Sequence, residues 1–137
     1  MEPSELVKSV IAAGLPASTW SLEIGTAPDT PNKVTTLTDT GGLDPNPKYL
    51  LDFPTVQVVV RGDPNGYVAA RTEARAVKDV CLGVDSQDIG TDRLVAINQL
   101  GDVAYIGRDD QMRPMFSINF ALIVEPAESA NTNRVAL

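Results

Sequence analysis

The chain has 137 residues, 43% hydrophobic and 21% charged, which is the usage of one ordinary globular domain with a core of its own. Its 11 basic residues stand against 18 acidic ones, and the net charge of −7 argues against a protein that works by gripping phosphates, though not against a surface that DNA slides past. With no histidine, Ser-His-Asp and Cys-His catalysis and His-containing zinc sites are excluded, and a single cysteine, Cys81, permits no internal disulfide.

The N-terminal Met1-Glu2-Pro3-Ser4-Glu5 lacks the basic flank and apolar run of a signal peptide. No stretch approaches the roughly 20 apolar residues of a membrane span, so the expected setting is a soluble protein in a reducing cytoplasm. Ser4 is a good N-cap, Glu5 suits a first turn, and Leu6, Val7, Val10 and Ile11 fall at helical spacing. Gly14 and Pro16 stop the run, which predicts a short amphipathic helix over residues 4–13. Trp20 to Ile24 alternates as a strand ending at Gly25. Residues 27–33, with Pro28, Asp29, Pro31 and Asn32, form a loop by composition, and residues 34–38 read as an exposed or edge strand.

Residues 40–54 are irregular, punctuated by Gly41, Gly42, Pro45, Pro47 and Pro54. The clearest strand follows at 55–61, with Val56, Val58 and Val60 on one face and Gln57 and Arg61 on the other, and Gly62-Asp63-Pro64-Asn65-Gly66 is a turn. Tyr67, Ala70, Ala74, Val77 and Cys81 then trace one stripe of a main helix, whose small alanines allow close approach to a sheet and whose apolar setting makes Cys81 a buried thiol. Residues 94–98 and 103–106 read as two strands joined around Leu100-Gly101. Residues 114–125 alternate strictly, with Phe116, Ile118, Phe120, Leu122 and Val124 facing a core and Ser117, Asn119 and Ala121 opposite. The order predicts an α+β fold, a mostly antiparallel sheet with two helices packed on one face. Residues 1–125 form the single domain, and 126–137 a flexible C-terminal tail.

The candidate chemistry is thin. Arg61-Gly62-Asp63 matches an adhesion tripeptide but is a strand end running into a turn that requires those residue types. The aspartates at 85, 88, 92, 102, 109 and 110, against Arg93 and Arg108, give a net −4 without the spacing of a calcium loop, and read as solvated loop charge. Asp39-Thr40-Gly41, with Ile106-Gly107-Arg108-Asp109 downstream, is similar to the signature of dimeric aspartic proteases, which need two carboxylates sharing one proton. The flanking residues depart from it: Thr35, Thr36 and Thr38 stand where an apolar strand is wanted, and Pro114 breaks the helix that should follow. No catalytic, cofactor-binding or metal site is assigned, and no cofactor is expected.

A longer ordered pattern covers about half the chain. Phe53-Pro54-Thr55-Val56-Gln57-Val58-Val59-Val60-Arg61-Gly62 leads to Tyr67 and the helix bearing Ala70, Ala74 and Val77. Val103-Ala104-Tyr105-Ile106 follows, and then Arg113-Pro114-Met115-Phe116-Ser117-Ile118-Asn119-Phe120 running on to Glu125. The set resembles the minor capsid or tail-terminator (head–tail joining) proteins of long-tailed bacteriophages; residues 27–49 carry none of it.

The resemblance implies a structural virion protein. Its subunits would close into a homo-oligomeric ring, a hexamer, that caps the tail tube and meets the tube protein and the head-completion or neck protein. Genomic DNA would pass through the channel without specific binding, with no membrane involved. The setting would be the virion tail or neck, after assembly in host cytoplasm. Another neck component, a head-completion or stopper protein, is the alternative, and the dimeric protease using Asp39 a third reading. Neither 40–54 nor 126–137 has a periodic apolar face of its own. Tyr49, Leu50 and Leu51 in the first, and Asn131, Arg134 and Leu137 in the second, are therefore the expected subunit or partner contacts.

Overall fold

The computed structural model describes residues 1–137. Two helices, α1 (Pro3–Gly14) and α2 (Tyr67–Cys81), accompany six strands: β1 (Ser21–Ile24), β2 (Val34–Leu43), β3 (Phe53–Arg61), β4 (Gln87–Ile89), β5 (Asp92–Arg108) and β6 (Pro114–Glu125). The two most strictly alternating segments form the centre. β3 and β6 pair antiparallel, with Val56 opposite Phe120, Val58 opposite Ile118 and Val60 opposite Phe116. The full order is β1-β2-β3-β6-β5-β4, antiparallel throughout except that β1 runs parallel to β2.

Because side chains alternate across a strand, this register gathers one apolar face. Leu37 joins it through Val58, and Leu94 and Ile97 join through Val124 and Leu122. Both helices cover that face. Leu6, Val7, Val10 and Ile11 of α1 and Ala70, Ala74, Val77 and Cys81 of α2 are buried with it in one core. The expected α+β architecture is the observed one.

Several local expectations are corrected. Ser4 is not the cap of α1: Glu2 is, and its N–H donates to the Glu5 side chain at 2.9 Å. Ser4 sits inside the first turn with its side chain engaged elsewhere. β2 is not an edge strand, because β1 pairs on its outer side. Nor is 40–54 wholly irregular. β2 runs on to Leu43 across a bulge between Asp39 and Gly42, where Gly41 and Gly42 take φ of +93° and +136°. Pro54 lacks the N–H that a ladder with β6 would use, yet Phe53 and Pro54 extend β3 by pairing with Leu43 and Gly42 of β2. Residues 94–98 and 103–106 belong to one strand, β5, whose register against β6 shifts between Leu100 and Ala104. β4, three residues long, carried no pattern to find.

Two buried arginines fasten the 27–33 loop to the sheet. Arg61 donates to the carbonyls of Pro28, Pro31 and Asn32. Arg113 donates to Asp109 at 2.7 Å and to the Asp29 carbonyl at 2.6 Å. Burial alone would raise the Asp109 carboxyl. The N–H groups of Arg113 and Gln111 and the Arg113 guanidinium outweigh it and hold the carboxyl below its usual range.

Three outcomes follow from this packing. Ala74 is fully buried between helix and sheet, so Ala74→Leu should overpack the seam and cost about 1–3 kcal/mol, read as a lower melting temperature. Burial pushes the Cys81 thiol up to about 12, so a thiol reagent should label the native protein slowly and the unfolded protein at once. A depressed carboxyl stabilises the fold above its unfolded pKa, and that contribution is lost as pH falls through the folded one. Asp109→Asn should therefore melt lower than wild type at neutral pH, with the gap closing as pH falls through and below about 4.

Candidate assembly surfaces

The sheet face away from the helices is the first surface. The registers align Thr36, Val59, Ser117 and Ala104 in one row, and Thr38, Gln57, Asn119 and Leu100 in the next. Thr55, Ala121 and Asn98 form a third. The only charged side chain in these rows is Glu23 of β1, which stands beside Thr36 at the end of the first. At one end lies a groove of about 520 Å³, lined by Thr40, Leu43, Phe53, Thr55, Leu100 and Ile123. Leu43 and Leu100 reach it 78% and 51% exposed. Sequence reasoning found the β6 part of this face and Gln57 of β3, and missed how far it extends. The signal was present in Thr36, Thr38 and Thr40, and in Thr55 and Gln57, but only the β2–β3 register joins them.

The second surface is a clasp between the 44–52 loop and the C-terminal strap. Leu50 N–H donates to the Val135 carbonyl, and Val135 N–H to the Lys48 carbonyl, a parallel bridge. One nitrogen of Arg134 donates to the carbonyls of Asn46 and Tyr49 and to the Asp52 carboxylate, the last at 2.8 Å. Asn46 closes the loop by accepting the N–H groups of Lys48 and Tyr49 and donating its own to the Leu51 carbonyl. Of the six residues expected at contacts, Tyr49, Leu50, Leu51 and Arg134 therefore meet one another, with Leu50 buried beneath the strap. Asn131 and Leu137 lie on the strap, exposed. The two segments expected to order against a partner thus touch each other, because each supplies hydrogen bonds that the other's backbone needs.

Asp39 is occupied in a structural task. Its two oxygens accept the N–H and the hydroxyl of Ser4, each at 2.8 Å, at the positive end of α1. The Ile106-to-Asp109 segment lies across the sheet, with β3 and β6 between it and β2. There Arg108 donates to the carbonyls of Pro64 and Met112, and Asp109 closes the turn into β6. The two halves of the protease-like signature stay apart within the chain, and each is used by the fold.

The acidic residues divide between ties and surface. Asp92 is buried and holds the Met1 amine at 2.8 Å and the Ala127 N–H at 2.8 Å, joining both ends of the chain to β5. Asp102 pairs with Lys78 and Asp88 with Arg93, while Asp85 and Asp110 are exposed. Arg61 of the adhesion-like tripeptide is buried on backbone carbonyls and cannot face a receptor.

A family model described as "Bacteriophage tail terminator protein" matches residues 10–126, a span from the last turns of α1 to the end of β6. A search of curated proteins finds no match. Among solved structures, a chain of the "Virion of native gene transfer agent (GTA) particle" is similar, with a TM-score of 0.63 over 90% of this chain and 87% of that one. At 14% identity, that likeness is one of fold. The family match takes in the whole sheet and α2, and on it the chain belongs to the bacteriophage tail terminator family.

Proposed function

We propose that this chain is the subunit of a ring, a hexamer, that stops growth of a phage tail tube at its head-proximal end and joins the tail to the neck. The observation that carries the reading is the extent of the family match, residues 10–126, which covers nearly all of the sheet-and-helix body rather than a single motif. The surfaces support it. A subunit in a ring needs area that can be covered while stranding little charge, and the rows of the open sheet face carry Glu23 alone, at their β1 end. The clasp of loop and strap lies beside that face at its β2–β3 end, where Leu43 and Phe53 line both the groove and the adjoining hollow reached by Arg134. Its accessible residues, the exposed Asn131 and Leu137 and the half-buried Tyr49, Leu51 and Arg134, are assigned to contacts with neighbouring subunits, the tube protein or the head-completion protein.

The net charge of −7 fits a channel wall along which DNA passes without being held, since like charge opposes adsorption of phosphate. The site of action is the virion tail, after assembly in host cytoplasm. No catalytic role is assigned, because Asp39 is engaged with Ser4. Another neck component shares the size and charge, and position in the virion separates the two.

Electron microscopy of the purified protein should show rings, and labelled protein should locate to the head-proximal end of tails. Labelling at the head vertex alone would favour the stopper reading. Removing residues 131–137 takes away Arg134 and the Val135 bridge but no core residue. The truncated chain should keep its far-ultraviolet circular dichroism while losing ring formation or tail joining. Wild-type assembly by the truncation would remove the strap from the contact surface.

A further inference from the structure

β5 is 17 residues long, but β4 covers its outer side only at Asp92, Arg93 and Leu94. Beyond that, the outer edge of β5 has no strand beside it. Which residues turn outward follows from alternation along an antiparallel ladder. Gly62 N–H donates to the Pro114 carbonyl, and Asp52 and Val124 exchange both backbone bonds, so the even-numbered residues of β6 turn toward β3. Its odd-numbered residues turn toward β5, where Asn119 and Ala121 face Leu100 and Asn98. Ile97 and Gln99, opposite Leu122 and Phe120, therefore point their N–H and C=O groups away from the sheet.

This edge lacks the usual guards. Residues 95–101 contain no charge and no proline, and register shifts at Leu94/Ala96 and Leu100/Ala104 bound a short straight run. The other end of the sheet offers its counterpart. In β1, Ser21 N–H donates to the Lys33 carbonyl and Gly25 N–H to the Leu37 carbonyl, so Ser21, Glu23 and Gly25 turn toward β2. Leu22 and Ile24 are left facing outward. Each edge thus presents two outward residues spaced by two, in a run only a few residues long, on opposite ends of one sheet.

We propose that the β5 edge at Ile97 and Gln99 of one copy pairs with the β1 edge at Leu22 and Ile24 of the next, making the sheet continuous across the subunit boundary. The partner is a second copy of this chain because the two edges match in length and spacing and neither places like charges opposite each other. A contact between two different patches of one chain is heterologous and closes into rings when its rotation permits. The inference rests on the ring reading and gives it a specific interface.

Cross-linking tests it. Glu23 and Asn98 stand on the open face of β1 and β5, since Glu23 lies beside Thr36 and Asn98 beside Ala121. With Cys81 buried and silent, the Glu23→Cys/Asn98→Cys double variant treated with a short bismaleimide should give a ladder of covalent multimers. The two single variants mixed together should give covalent dimers and nothing larger, and each alone should give none. Gln99→Pro, which removes one outward N–H and leaves the β6 bonds, should lose assembly while keeping the monomer's circular dichroism. Rings without cross-links would overturn the edge pairing and leave the ring standing. Dimers from Asn98→Cys alone would show two β5 edges meeting about a twofold axis, which also overturns it. Neither rings nor multimers would overturn both the pairing and the ring.

Discussion

The register between β3 and β6 is the constraint on which the rest depends. Setting Val58 opposite Ile118 puts Val56, Val60, Phe116 and Phe120 on the same side, beneath α2. The same choice puts Gln57, Val59, Ser117 and Asn119 on the other side. A slip of one residue would exchange the two sets, exposing phenylalanines and burying amides. Leu37, Leu94 and Ile97 enter the core only through strands laid against this pair. Core and open face are therefore one specification.

The parts legible in the sequence were those whose pattern is local. β6 shows five apolar residues at period two, and the α2 stripe from Tyr67 to Cys81 shows steps of three and four. These periods declare themselves because each element buries one side of itself. What the sequence hid was non-local. β2 looked like an edge because β1 is four residues long and reaches it in parallel after a loop. The Gly41-Gly42 bulge read as irregular because only pairing with Phe53 and Pro54 makes it part of a ladder. Ser4 read as a cap because its side chain is of a capping type, while the acceptor that serves the α1 terminus, Asp39, lies 35 residues away.

The candidate site shows the same division. Composition marked residues 40–54 and the tail as segments without a periodic apolar face of their own. It gave no means of seeing that Arg134 and Val135 meet Asn46, Lys48, Tyr49 and Leu50, because the bonds join backbone carbonyls that any sequence would possess. The family pattern, in contrast, was legible, since it is carried by β3, α2 and β6, the elements whose residues are fixed by the core.

The disposition of charge is compatible with the proposed assembly of a strongly acidic chain. Asp39, Asp52, Asp92, Asp102 and Asp109 are each tied to a named donor within the chain: Ser4, Arg134, the Met1 amine, Lys78 and Arg113. None of these aspartates stands in the open rows of the sheet. Charge spent at the rim keeps free subunits soluble and apart. The open rows and the short edges of β1 and β5, with Glu23 their one charge, are left as places where contact strands little charge. Each of those edges is too short to hold two copies firmly by itself. A ring changes the balance, because its last contact forms between groups already held close, at a high effective concentration. Under the proposed ring, short edges with an acidic rim would favour a subunit that stays single when dilute and closes cooperatively where several copies are gathered.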